Sequence, residues 1–273
     1  MIDLECLQSK SATTGRVIEL KNENKVFVEN PRNMEALAVM KKTTPARIAI
    51  GRCGTRYKTA TLLDFLASHA AAQDAVELEV SDKFINHCEL MKTKTKVFDK
   101  DEYLKKPALG RKLDDESRKM VLENCEKGKQ VQIIVVDGLS APAIEANAED
   151  TMAALIQGLE AEGLSVGKPF FVKYGRVAVQ DDIAMLLGCD VIVEFVGERP
   201  GLVTAESMSA YLIYRPSENT VEADRSIISN IHRGGTPPAE AGAHLATLVK
   251  TIFDNKASGT KLSEILKNKV TSE

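Results

Sequence analysis

The stretch VIVEFVGERPGLVTAESMSAYLIY, Val191 to Tyr214, sets two apolar, β-branched runs on either side of a loop of glycines, a proline, an acid and a base. Runs of this length and makeup read as buried strands. The link between them is too short for a parallel crossover, so SAYLIY reads as an antiparallel neighbour of VIVEFV. Upstream the texture is different. VQIIVV (Val131–Val136) and PFFV (Pro169–Val172) are two more buried strands. Between them Met152, Leu155, Ile156 and Leu159 recur at helical steps, and Gly163 ends that stripe. A short helix over Val179–Leu187 stops at Gly188. Strand, helix, strand, helix, strand predicts a parallel sheet with right-handed crossovers. Downstream, Pro237-Pro238 opens a long helix with Leu245, Leu248, Val249 and Ile252 on one face. The fold class is therefore α/β.

The part before Gly128 reads differently. Residues 1–30 are polar and irregular and form an expected loose, flexible arm; residues 31–128 read as helical. Leu62, Phe65, Leu66, His69 and Ala70 follow Thr61 at three- and four-residue steps, and Asp64 completes a capping-box spacing. On that face His69 reads as a satisfied core histidine. A second helix runs through Leu113, Met120 and Val121 toward a stop at Lys127-Gly128-Lys129. The expected organisation is an arm over 1–30, a helical domain over 31–128 and an α/β domain over 129–273.

Composition excludes several classes. Thirty-six basic against 39 acidic side chains leave a net charge of −3, without the basic excess of a nucleic-acid binder. Aromatics are 5% and tryptophan is absent, so few rings are available to stack on bases. No apolar run approaches a membrane span, and MIDLECLQSK lacks a secretory signal. Cys6, Cys53, Cys88, Cys125 and Cys189 are odd in number and widely spaced, which predicts reduced thiols with no zinc site and no disulfide framework.

Ligands of open α/β sheets bind outside the carboxyl ends of the strands. Three loops fall there: Asp137-Gly138-Leu139-Ser140, Tyr174-Gly175-Arg176-Val177 and Gly197-Glu198-Arg199-Pro200-Gly201. Glycine in each lets a ligand approach the backbone. Glu198 and Arg199 read either as ligand contacts or as a surface ion pair, and truncating Glu198 should cost little stability. A fourth polar segment, Glu222–Arg225 and Ser229–Thr236, precedes a helix N-terminus, where anions bind. Dinucleotide, P-loop, zincin and nucleophile-elbow signatures are all missing. Asp137-Gly138-Leu139-Ser140 could pass for a nucleophile turn, but no histidine follows at a persuasive place. Residue chemistry by itself stops at an α/β protein with a ligand edge.

The runs ARIAIGRCGTRYKTATLLDFLASHAAAQD, VVDGLSAPAI, FFVKYGRV, VGERPGL and VEADRSIISNIHRGGTPP resemble the small subunit of ethanolamine ammonia-lyase, over about Pro31 to Gly259. The resemblance implies a helical N-terminal domain, a Rossmann-like, mostly parallel C-terminal α/β domain, and adenosylcobalamin lying between this chain and a large barrel subunit. It implies conversion of ethanolamine to acetaldehyde and ammonia, with substrate on the large subunit. The alternative is a stand-alone Rossmann-like binding or regulatory protein with no catalytic partner. Location in the cytoplasm is implied, inside a bacterial microcompartment for members that carry a targeting tail; the tail here is short. Three cobalamin-contact positions of the family map to Val177, Glu198 and Ile227, the last a cysteine in the family pattern. Asn230-Ile231-His232-Arg233-Gly234-Gly235 mimics the D-x-H-x-x-G of cobalamin proteins whose histidine binds cobalt. Asparagine replaces the orienting carboxylate here, so His232 is expected to order its loop or meet a subunit rather than bind metal. No catalytic and no metal-binding residue is expected in this chain.

Overall fold

The computed structural model describes residues 26–44 and 46–270. The expected arm therefore lies outside the described residues over 1–25; at Phe27 the backbone N–H already donates to the Ala49 carbonyl at 2.9 Å. The chain divides into two compact units after Ala71.

In the first unit α1 (Met34–Lys42) is capped by Asn33, whose side chain accepts from the Ala36 N–H at 2.9 Å. A two-residue-per-strand hairpin follows, β1 (Arg52–Cys53) with β2 (Arg56–Tyr57). The helix α2 (Thr59–Glu77) runs on into the second unit. Its apolar stripe is not a core stripe: Leu62, Leu63, Phe65 and Leu66 are exposed, and so is His69, which corrects the core-histidine reading. Nor is there a capping box at Thr61. The helix begins two residues earlier, the Thr61 hydroxyl bonds to the Ile50 carbonyl, and Asp64 pairs with Arg47 at 2.7 Å.

The second unit is built on a six-stranded, mostly parallel sheet. Its strands are β3 (Met91–Lys94), β4 (Val131–Val136), β5 (Phe170–Lys173), β6 (Val191–Gly197), β7 (Met208–Tyr214) and β8 (Ser226–Ile231), in the order β3-β5-β4-β6-β7-β8. The pairs β3/β5, β5/β4 and β4/β6 are parallel; β6/β7 and β7/β8 are antiparallel. The expected antiparallel turn after VIVEFV is what forms.

The most apolar strands sit in the middle because both their faces are covered. Ile133 and Val135 of β4 and Val193 and Phe195 of β6 face α6 (Ala141–Ala161) and α8 (Pro238–Asn255), together with Leu155, Leu159, Leu245, Val249 and Ile252. Ile134, Val136, Ile192 and Val196 face α7 (Val179–Leu187), together with Ile183 and Leu187. Gly188 ends α7 at φ +68°, a left-handed cap that glycine takes without steric cost.

Besides the β1/β2 hairpin, two strands of the main sheet lie where none was expected. MKTK (91–94) falls inside the segment read as helical, yet it forms the sheet edge, and buried Thr93 donates to the Phe171 carbonyl at 2.8 Å. Residues 72–128 thus belong to the compact unit of the sheet, whereas the sequence division fell at 128/129. Likewise SIISNI, within the segment read as a polar ligand loop, forms edge strand β8. Edge strands are half solvated, so neither carries an apolar run. Two short helices, α3 (Asp82–His87) and α4 (Lys100–Lys105), lie on either side of β3 in the chain, and α5 (Asp115–Asn124) starts after Asp114, whose carboxylate caps Ser117 N–H at 2.7 Å, and stops short of Gly128. The chain closes with α9 (Gly259–Val270).

Candidate functional site

The carboxyl ends of β4, β5 and β6 share one edge of the sheet, so the three glycine loops gather there. They are packed against each other closely. Leu139 N–H donates to the Gly197 carbonyl at 3.0 Å, and Asp137 Oδ1 accepts the N–H groups of Gly138 (2.9 Å) and Tyr174 (2.8 Å). Ser140 is buried and engaged: its hydroxyl donates to the Ala205 carbonyl at 2.5 Å and caps α6 by accepting from Ala143 N–H. It is a structural cap, not a nucleophile.

Glu198 follows β6 and is half-buried. Its partners are neutral. Oε1 accepts from the Ser209 hydroxyl (2.6 Å) and Asn230 N–H (2.9 Å), and Oε2 from the Ser207 hydroxyl (2.7 Å). Burial alone would raise its pKa. The Asn230, Ser209 and Ser207 hydrogen bonds outweigh that and hold it below the usual carboxylate range. Glu198 is therefore a fixed anion with one lone pair of Oε2 left over. Ser207 and Ser209 stand at the two-residue period of a strand face, a signal the sequence carried. The Asn230 contact is through backbone and carried none.

The three hydrogen bonds change the stability expectation for Glu198→Ala. It should destabilise the chain by about 1.5–3 kcal/mol at neutral pH, since three donors lose a charged acceptor. A carboxylate whose folded pKa is depressed contributes stability above its unfolded pKa and loses it as pH falls. The difference between Glu198→Ala and wild type in a urea melt should therefore shrink from pH 7 toward pH 4; a constant gap would mean the anion is not what holds the loop.

Val177 is partly buried against the α7-side core. Ile227 is 48% exposed on β8, in register with Tyr211, which is itself in register with Glu194 of β6. An open groove between β8 and α8 runs beside it, bordered by Thr236, Glu240 and His244. The structure joins Glu198 to β8 directly through Asn230. It does not bring Val177 and Ile227 next to Glu198. Val177 follows β5 and Ile227 lies on β8, four strand spacings or about 19 Å apart, and Ile227 is set about 10 Å back from the edge. Only a large ligand could touch all three.

His232 has both ring nitrogens engaged. Nδ1 accepts from Gly234 N–H at 3.1 Å, which leaves the proton on Nε2 to donate to Asn230 Oδ1 at 2.8 Å. Among the described residues no group of three or more histidine, cysteine, aspartate or glutamate side chains could hold a metal ion, and no helix is long and apolar enough to cross a membrane. Cys53, Cys88, Cys125 and Cys189 are free thiols; Cys6 lies outside the described residues.

A second buried polar group escaped the sequence reading. Glu194, fully buried in central strand β6, has no hydrogen-bond partner on either oxygen among the described residues. Arg225 is buried nearby and pairs with Asp181 of α7 and with Glu222 (2.7 Å). Burial pushes Asp181 up to about 6 against the pull of Arg225, and pushes Glu194 well above the carboxylate range.

Comparison with known proteins places the chain. The family described as ethanolamine ammonia-lyase light chain (EutC) matches residues 34–263. The chain belongs to the ethanolamine ammonia-lyase small-subunit family. It is 50% identical to the ethanolamine ammonia-lyase small subunit of Clostridium perfringens over 246 residues, 90% of this chain and 83% of that protein. Identity to the Clostridioides difficile small subunit is 48% over 258 residues, 94% of this chain and 88% of that one. The Listeria innocua small subunit is 46% identical over 246 residues, 90% of this chain and 84% of its own. A small subunit of a lyase implies a larger partner chain, and the family match covers both the sheet and the Val177, Glu198 and Ile227 positions.

Proposed function

We propose that the chain is the small subunit of an adenosylcobalamin-dependent ethanolamine ammonia-lyase, acting with a large barrel subunit to convert ethanolamine to acetaldehyde and ammonia. The observation that carries this is the family match over residues 34–263. The residues of the sheet edge suit a corrin in kind. Val177 and Ile227 offer apolar side chains that solvent reaches, and Glu198 offers a fixed anionic acceptor with a free lone pair for an amide side chain. Their ~19 Å spread along the sheet suits a macrocycle better than a small metabolite.

When bound, adenosylcobalamin supplies the radical chemistry of the deamination. The work of this chain is to hold and enclose. Val177 and Ile227 would lie against apolar rim, Glu198 would orient an amide, and the packed loops would keep water from that side. No residue here is assigned to substrate. The complex would work in the cytoplasm, or within a bacterial microcompartment where encapsulated.

The test is reconstitution. The purified chain with adenosylcobalamin and ethanolamine is expected to release no ammonia, and the large subunit with this chain is expected to turn over. Turnover by the lone chain, or no dependence of the large subunit on it, would overturn the assignment.

A further inference from the structure

The loop Tyr174-Gly175-Arg176-Val177 is held from several sides, and its first residue is held by one buried side chain. Asp137 is 1% exposed at the end of β4. Its Oδ1 accepts the Tyr174 N–H at 2.8 Å, at a residue with φ +59°, a left-handed conformation that a tyrosine adopts only when its surroundings dictate it. The Tyr174 carbonyl accepts from the Thr95 hydroxyl at 2.9 Å, and the Gly175 carbonyl from the Tyr103 hydroxyl at 3.1 Å. Arg176 N–H donates to the Gly110 carbonyl at 2.7 Å, and the Arg176 guanidinium donates to the Tyr103 carbonyl at 2.7 Å while lying 4.1 Å from the centre of the Tyr103 ring. Arg176 C=O then accepts from Val179 N–H, the first turn of α7. Val177 thus leaves a loop whose turn is set at Tyr174.

Burial pushes the Asp137 carboxyl up to about 6, and the nearby positive charge of Lys100 pulls against that. That lysine is only 9% exposed, its ammonium sits 5.2 Å from the Tyr103 ring centre, and each of the two feels the other's charge. Asp137 Oδ2 and Lys100 Nζ are buried without hydrogen-bond partners among the described residues. A carboxylate is an expensive group to bury for packing alone. Oδ1 bonds the backbone of the loop, whereas Lys100 acts on Asp137 only through space, as a nearby positive charge.

We infer that Asp137 is a positioning residue that pre-shapes the Tyr174–Val177 loop, through the Tyr174 N–H, for cobalamin contact at Val177. This rests on the proposed function and names how this chain prepares that contact. Lys100 acts on the charge of Asp137 and makes no hydrogen bond to the loop.

The test is equilibrium cobalamin binding by the complex of this chain with the large subunit, beside a denaturant melt of the chain. Asp137→Ala should weaken cobalamin binding about tenfold, the size of one lost charge-assisted hydrogen bond. Asp137→Asn keeps an oxygen for both N–H groups and should bind within about threefold of wild type, although its melt shifts down because Lys100 loses its counter-charge. Lys100→Met should likewise melt earlier yet bind as wild type. The Asp137→Ala and Val177→Ala effects should be less than additive in the double variant, because the first acts through the second. If affinity instead follows stability across all the variants, or the double variant is additive, Asp137 is a structural residue only and the inference falls. Hydrogen exchange on wild type needs no variant: the Tyr174 amide should be protected before cobalamin is added, and free exchange that slows only on addition would overturn pre-shaping. A wild-type complex that binds no cobalamin would sink the proposed function itself, a result distinct from either of these.

Discussion

Gly197→Ala is expected to cost about 3 kcal/mol or more, one of the largest losses from any single methyl in this chain. A Cβ at Gly197 would overlap the backbone carbonyl of Ser140 and sit 2.7 Å from that of Asp137. Both belong to backbone pinned by Ser140 at the α6 cap and by the Asp137 bonds to Gly138 and Tyr174, so no side-chain rotation relieves the overlap. Overpacking of a close-packed interior costs typically 1–3 kcal/mol and more where backbone must move. For a unit of this size that is a drop of roughly 6–12 °C in Tm. Gly163→Ala is the control. Gly163 has φ +71°, but a methyl added there would meet nothing within 4 Å, so only the left-handed backbone is penalised, about 1–2 kcal/mol. Equal Tm losses for the two would show that the loops at the sheet edge are not tightly joined.

Arg225→Ala should be as damaging, about 3–5 kcal/mol, because removing one partner of a buried charge cluster leaves the others uncompensated. Asp181 would lose its pair and Glu194 the positive charge that pulls its pKa down. The pH dependence carries the diagnosis. Both carboxyls already have raised folded-state pKa values, Asp181 to about 6. A raised acid contributes stability that is complete below its unfolded pKa and is lost as pH rises through the folded one. Without Arg225 both rise further. The deficit of Arg225→Ala should therefore be smallest near pH 5 and grow toward pH 8 in denaturant melts, and Glu194→Gln should return part of it at pH 8. A deficit equal at both pH values would mean that Arg225 contributes packing rather than charge.

The central sheet was legible because its strands are buried on both faces, and double burial writes itself as a nearly continuous apolar run: VQIIVV, FFV and VIVEFV, broken only by Gln132 and Glu194, needed no context. The helix between Val179 and Leu187 was legible for the same reason, with Gly188 as its left-handed end. The edge strands MKTK and SIISNI were not, since a strand paired on one side needs only an occasional buried residue, Thr93 in one and Ile231 in the other. The apolar residues of α2 misled in the opposite direction. Periodicity reports which residues share a face, and burial of that face is a property of what lies against it; here Phe65 and Leu66 are exposed.

Of the site, the sequence determined the residue types and the edge they occupy. Strand ends place loops by topology alone, so Asp137, Val177 and Glu198 could be assigned to one rim from the strand pattern, and the long motifs pointed to the family that the comparisons then showed. Only the tertiary structure decided what those residues do. Whether Glu198 is a loose surface acid or a fixed anion depends on Ser207 just before β7, Ser209 within it and the backbone of Asn230 in β8. Whether Asp137 is a turn residue or the pin of the neighbouring loop depends on a hydrogen bond across 37 residues of chain. A charged group takes its pKa, and so its chemistry, from desolvation and from partners distant in sequence, and neither exists until the strands have paired.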